Sequence, residues 1–200
     1  MATRKTRMSR GRRRPVAGRE QILSKARAIG VREGWKAVTI RSVAQKLGYA
    51  SPLLYEHFRD KEELLTQIAA EAIALLEAKL TENLPADAED VVVTMVDRYW
   101  TFMLEHTQLY RLMNGMDGVP IDKEVVGRSA QSLCKLIAET VRPLIGETAT
   151  ETDRQTLADE LWALLHGMAV LSLDRFARFD LPKVRNAAMK LIRGASEPDL

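Results

Sequence analysis

The stretch from Thr39 to Phe58 constrains this chain more than any other. Ile40, Val43, Ala44 and Leu47 recur at i, i+3, i+4 and i+7, the period of one helical face. Thr39 stands where a helix N-cap is wanted, and Gly48 falls just past the end, where a left-handed residue is easiest to place. After a short turn, Ser51 and Pro52 read as N-cap and first helical residue of a second helix, with Leu54 and Phe58 at i, i+4. Two short helices joined by a glycine-containing turn make a helix-turn-helix. In the versions that bind DNA the second helix lies in the major groove. Ser51 to Phe58 is therefore expected to be a recognition helix.

Charge supports that reading. Residues 1–65 hold 16 Lys/Arg against 6 Asp/Glu, a net of +10, and residues 66–200 hold 14 against 21, a net of −7. A basic N-terminal third on an acidic remainder points to nucleic acid at one end only. Residues 1–18 carry Arg4, Lys5, Arg7, Arg10, Arg12, Arg13 and Arg14 with no hydrophobic period, and are expected to form a disordered basic arm.

The remaining pattern is helical throughout. Arg19 to Gly34 reads as a helix with Ile22, Ala26 and Ile29 on one face, and Trp35 and Val38 pack the loop after it. Asp60 and Glu63 have capping-box spacing and open a long helix through Leu64, Ile68, Leu76 and Leu80. Helices are then expected over 88–106, 108–113, 122–145 (with Pro143 in its last turn), 153–177 and 181–193. The fold class is all-α with about nine helices. A helix-turn-helix domain at 19–65 is followed by a helical ligand-binding and dimerisation domain at 66–200.

Other classes are excluded by what the chain lacks. No apolar run approaches the ~18 residues of a membrane span. The N-terminus has no apolar core of a secretory signal, so a cytoplasmic protein is expected. Cys134 alone permits neither an intramolecular disulfide nor a cysteine zinc site, and its apolar setting suits a small buried hydrophobe. No nucleophile–base pairing, metal-ligand spacing or glycine-rich phosphate loop is present, so an enzyme and a cofactor are not expected.

The residues Thr39, Val43-Ala44, Leu47-Gly48-Tyr49-Ala50, Leu54-Tyr55-Glu56-His57-Phe58 and Lys61-Glu62-Glu63-Leu64-Leu65 together resemble the N-terminal signature of tetracycline-repressor (TetR) family regulators. Trp162, His166 and Gly167 resemble the Trp-x-x-x-His-Gly signature of one C-terminal subclass, and residues 104–113 are similar to it as well. The resemblance implies an all-α homodimer, a palindromic DNA operator and a ligand pocket in the C-terminal domain. Leu53 departs from the pattern, because that position is often Thr or Ser in the family. Leucine cannot hydrogen-bond but can touch a thymine methyl.

Candidate DNA-contacting residues follow. Arg41, in the first turn of the first motif helix, can reach a phosphate or the O6 and N7 of guanine. Ser51, Pro52 and Leu53 begin the recognition helix, while Tyr55 and His57 are placed to bond phosphate oxygens. Lys61 adds charge at a helix N-terminus, and Thr39 combines capping with phosphate contact. The helix at 153–177 is apolar on nearly every side, so a partner subunit is expected to cover it. Leu161, Leu164, Met168, Leu171, Val184, Ala188 and Leu191 are the expected dimer interface of a four-helix bundle. Tyr99, Trp100, Met103, His106, Tyr110, Met113, Met116, Cys134 and Ile137 are the expected lining of a pocket for an apolar small-molecule effector. His166 is open between a structural role and a place in that pocket. Two functions compatible with these residues are a ligand-released repressor and an effector-free nucleoid-associated or architectural DNA binder. A filled core around Trp100 and Met103 favours the second.

Overall fold

The computed structural model describes residues 18–146 and 149–196. The basic arm expected at 1–18 lies, up to residue 17, outside them. Nine α-helices and no strand occur among the described residues. They are α1 Arg19–Glu33, α2 Ile40–Leu47, α3 Ser51–Tyr55, α4 Lys61–Thr81, α5 Ala88–Glu105, α6 Thr107–Met113, α7 Lys123–Val141, α8 Glu151–Leu173 and α9 Leu181–Ser196. Short 3-10 turns at Trp35–Ala37 and Arg142–Leu144 join α1 to α2 and close α7.

The helix ends have local causes. The Thr39 hydroxyl accepts from Ser42 N at 2.9 Å, and the Ser42 hydroxyl accepts from Thr39 N at 3.0 Å, a reciprocal capping box at α2. Gly48 ends α2 at φ 74°, the left-handed conformation expected of it. Asp60 caps α4 by accepting from Glu63 N at 2.8 Å. The reciprocal bond differs from a regular capping box: the Glu63 carboxylate takes the backbone N–H of Arg59 instead, at 2.8 Å.

Several boundaries move. The recognition helix is shorter than expected and ends at Tyr55, with Phe58 on the following turn yet still 1% exposed. Its N-cap is Ala50, so Ser51 is already helical and is free of the capping role assigned to it. α7 gives way to the 3-10 turn at Arg142, with Pro143 inside that turn. α8 begins at Glu151, because Thr150 and Asp153 form a second capping box. It stops at Leu173, because Arg175 adopts φ 62°.

Packing joins the motif to the rest of the chain. Ile22, Ala26 and Ile29 of α1 meet Val43, Leu54, Phe58 and the start of α4 in one buried cluster. α4 continues past the boundary expected at 65/66 and packs on α5, α6 and α7. α7 and α8 pair, and α9 covers both α5 and α8. Burying the large side chains of such helices supplies about 1.5–3 kcal/mol each before entropy is set against it.

α8 is not buried all round. Leu157, Leu161, Leu165, Met168 and Ala169 face inward, while Trp162 and Leu171 are 37% and 42% exposed. Leu161, Met168, Val184 and Ala188, expected at the dimer interface, are instead buried inside the protomer's own core. The reason is that α8 packs on α7 of the same chain and α9 folds back onto α5 and α8. Leu164 and Leu191 are half-buried, and Leu171 remains open.

Candidate nucleic-acid interface and the core behind it

The helix-turn-helix sets its polar residues on the outside because its apolar face is fully used. Ile40, Val43, Ala44 and Leu54 are all buried, which leaves Arg41, Pro52 and Tyr55 exposed. Ser51 and His57 are half-buried beside them. Leu53 packs partly against the core, so only part of its side chain faces out. Thr39 is exposed, with its hydroxyl engaged in the α2 cap. The expected contact residues of α2 and α3 are therefore left exposed or half-buried on helices whose apolar sides are packed.

Lys61 stands differently. Its Nζ donates to the Lys36 carbonyl at 3.2 Å, tying the start of α4 to the turn after α1. Burial pulls its ammonium below the ordinary lysine value. Arg19 stacks its guanidinium over the Phe58 ring at 4.5 Å, and so covers the end of the recognition segment. Lys46 pairs with Glu33 at 3.3 Å. The hydrogen bond from Arg32, followed by that from Lys46, holds the Glu33 carboxyl below its usual value.

Behind this face lies a seam that the sequence did not reveal. The Trp35 indole N–H donates to the Gln108 carbonyl in α6 at 2.8 Å. The ring is 1% exposed and lies against Gly30, whose missing side chain makes the room. Arg27 and Glu71 form an ion pair between α1 and α4. The Asp122 backbone N–H donates to the buried Thr66 hydroxyl at 2.8 Å, joining the start of α7 to α4. α6 and α4 are thus bonded to the turn after α1 and to α1 itself. A glycine followed five residues later by a tryptophan was the available signal.

The expected effector pocket is largely packed. Trp100, Met103 and Met113 are buried core residues, and Tyr110 is completely buried. His106 is half-buried against the Phe102 ring at 4.8 Å. Met116 and Cys134 are half-buried, and burial pushes the Cys134 thiol up. A crevice exists nearby instead, between α5, α7 and α8, and Tyr99 and Ile137 are the expected residues that line it.

His166 takes a structural position. Tyr99 and Tyr110 hydroxyls lie 2.8 Å apart, and the Tyr110 hydroxyl lies 2.7 Å from His166 Nδ1. This chain of polar groups crosses α5, α6 and α8 inside an apolar core. Trp162 stacks on the His166 ring at 5.7 Å. Burial pushes Tyr110 up to about 12 and Tyr99 well above its ordinary value, and lowers His166. At neutral pH all three are uncharged and serve as hydrogen-bonding groups.

Comparisons with known proteins agree with this geometry. Residues 22–68 match the family described as bacterial regulatory proteins, tetR family. Residues 92–193 match the tetracyclin repressor-like C-terminal domain. The chain is 28% identical over 157 residues to an uncharacterised HTH-type transcriptional regulator of Mycobacterium tuberculosis, covering 78% of this chain and 70% of that protein. It is 31% identical over 70 residues to the HTH-type transcriptional repressor AcnR of Corynebacterium efficiens, covering 35% of this chain and 37% of the repressor. In fold it is similar to a protein of unknown function from Rhodococcus sp. RHA1. That likeness has a TM-score of 0.76 at 22% identity, covering 93% of this chain and all of the other. A putative transcriptional regulator from Pseudomonas aeruginosa PAO1 gives a TM-score of 0.66 at 18% identity, covering 88% of each chain.

Proposed function

The chain belongs to the tetR family of bacterial transcriptional regulators, and from that premise we propose that it is a repressor that binds a palindromic operator as a homodimer and is released by an apolar small molecule. The family and the relatives are transcriptional regulators rather than enzymes. Among the described residues no helix is long and apolar enough to cross a membrane. We place the protein in the cytoplasm, where it meets its double-stranded DNA.

The observation that carries the proposal is the exposure of the polar residues of α2 and α3 beside their buried apolar residues. Arg41, Ser51, Pro52 and Tyr55 stand on helices locked by the capping box and the buried Ile40, Val43 and Leu54. Arg41 reads guanine and Tyr55 and His57 position the backbone. Lys61 contributes through its place at the start of α4. The basic arm expected at 1–18, whose residues 1–17 lie outside the described residues, adds counterion release.

The open side of α8 supports the homodimer. Leu164 and Leu171 occupy it, together with Gly167, where an added side chain meets nothing within the protomer. Leu191 of α9 is half-buried and is the α9 residue expected to join that surface. A second copy related by a two-fold axis covers the patch and sets two recognition helices against two half-sites. Ligand release requires an effector that prefers the state in which α4 and α6 hold the motifs at the wrong spacing.

A second reading has its own observation. The burial of Trp100, Met103 and Met113 in the core favours an effector-free architectural DNA binder. Selection from random DNA separates the two. A repressor enriches one palindrome, whereas an architectural binder enriches no defined sequence. Selection that enriches nothing overturns the repressor reading.

A further inference from the structure

Tyr99 of α5, Tyr110 of α6 and His166 of α8 are joined by two hydrogen bonds, of 2.8 Å and 2.7 Å. Among the described residues neither tyrosine hydroxyl has a partner outside this chain of groups. Tyr110 is completely buried and Tyr99 nearly so. Val92, Met95, Val96 and Leu165, which line a crevice together with Tyr99, are apolar. A hydroxyl hydrogen that finds no acceptor within the three groups therefore stays unpaired in the core.

The number of hydrogens decides which state of His166 fits. With Nδ1 bare, Tyr99 donates to Tyr110 and Tyr110 donates to Nδ1, so two hydrogens make two bonds. A proton on Nδ1 adds a third hydrogen to the same two bonds. Whichever way the hydroxyls then turn, one tyrosine hydrogen is left without an acceptor, which is costly in a buried site. The added charge gains little in return. Tyr110 faces the imidazole from α6, and Trp162 stacks on it from α8 itself at 5.7 Å. Burial is the only influence on its pKa, so among the described residues α5, α7 and α9 set no carboxylate against it to offset a positive charge.

α6 is held to α8 through side chains. Tyr110 reaches His166, and Arg111 reaches Asp174, the C-cap of α8, at 3.3 Å. Two residues before Tyr110, the Gln108 carbonyl of α6 holds the Trp35 indole in the turn before α2.

We propose that the Tyr99–Tyr110–His166 chain is a proton-operated latch between α6 and α8, closed while His166 is neutral and opened when His166 takes up a proton. Opening lets water reach the spare hydrogen and loosens α6 where it holds Trp35. The consequence, weaker DNA binding in acid, rests on the regulator reading, whereas the latch itself does not.

The test is hydrogen–deuterium exchange of the full chain without DNA, at about pH 7.5 and about pH 5, on either side of ordinary histidine titration and corrected for intrinsic exchange rates. Acid is expected to cost the α6 amides of the parent at least about threefold more protection than those of His166→Gln, whose side-chain carbonyl accepts from Tyr110 at both pH values. Both proteins keep the Arg111–Asp174 pair, so the difference belongs to His166. Trp162→Leu, at an exposed position, removes the stacked ring's attraction for the imidazolium and is expected to move the opening to lower pH, which keeps the test intact if the glutamine variant fails to fold. Equal acid sensitivity in the parent and His166→Gln, or an opening that Trp162→Leu leaves unmoved, overturns the proposal. Fluorescence anisotropy on the selected operator at the same pH values reads the consequence. The parent is expected to lose at least about threefold more affinity in acid than His166→Gln, and bound operator to lower the His166 titration midpoint by the matching amount in NMR. His57 is common to both proteins and cancels in the comparison. An α6 that opens in acid without that loss upholds the latch and refutes its link to DNA. A selection that enriches no operator refutes the regulator reading and leaves the exchange result to decide the latch.

Discussion

Gly30→Ala sets two known effects against each other, and the structure decides the sign. In an ordinary helix interior alanine is better than glycine by about 1 kcal/mol. Gly30 lies inside α1, where that gain applies. A Cβ placed there, however, falls 2.1 Å from both Cε3 and Cζ3 of Trp35 and 2.7 Å from Cη2. The ring is rigid and 1% exposed, packed within the core. It is also fixed by its N–H on the Gln108 carbonyl at 2.8 Å. Retreat breaks that bond, worth about 1 kcal/mol. Forcing the added carbon into a packed core costs about 1–3 kcal/mol more. After the helix gain is subtracted, the net loss is about 1–3 kcal/mol. For a chain of this size that lowers the melting temperature by about 2–12 °C. Urea unfolding followed by circular dichroism measures it. The double variant with Trp35→Leu removes the overlap and is expected to lose less than the two single variants summed. A Gly30→Ala protein as stable as the parent, or more stable, refutes the reasoning.

Other consequences follow from single groups. Arg41→Ala is expected to weaken binding to the selected operator by about 1–3 kcal/mol and to relax preference at one base pair per half-site, which fluorescence anisotropy on operator variants reads. Leu171→Glu puts a charge on the open face of α8 and is expected to shift the chain toward monomer in sedimentation at micromolar concentration, with helix content unchanged. His166 has its pKa lowered by burial, so the folded state binds its proton less readily than the unfolded chain. Stability contributed by its neutral form is therefore full above about pH 6.5 and is lost as pH falls through the lower folded value. His166→Gln is expected to flatten that part of the stability–pH curve, and an unchanged slope between the two proteins contradicts it.

Periodicity and caps made most of the fold legible. Ile40, Val43, Ala44 and Leu47 located α2, and Thr39 and Gly48 set its ends, because those signals act within one turn of helix. Arg175 carried no such signal. Its left-handed conformation ends α8 four residues before the apolar pattern suggested. The apolar circumference of α8 had two possible covers, a partner or the chain's own α9. Composition does not distinguish them, and Leu161, Met168, Val184 and Ala188 are buried within the protomer, whose α8 packs on both α7 and α9. The same limit applies to Trp100, Met103 and Met113. Aromatic and methionine side chains at helical spacing describe a pocket wall and a filled core equally well, and here they fill the core. The Trp35–Gln108 and Tyr110–His166 bonds span 73 and 56 residues, separations at which no local pattern reports a contact.

The ratio of specific to non-specific DNA affinity, measured at physiological salt with the operator selected from random sequence, tests the central claim most directly. A regulator that reads base edges through Arg41 and the start of α3 is expected to prefer its operator over unrelated duplex by at least about 10³-fold. The preference is expected to fall when either half-site is scrambled. A ratio near one, with binding that weakens uniformly as salt rises, contradicts the account and identifies a binder of DNA backbone alone.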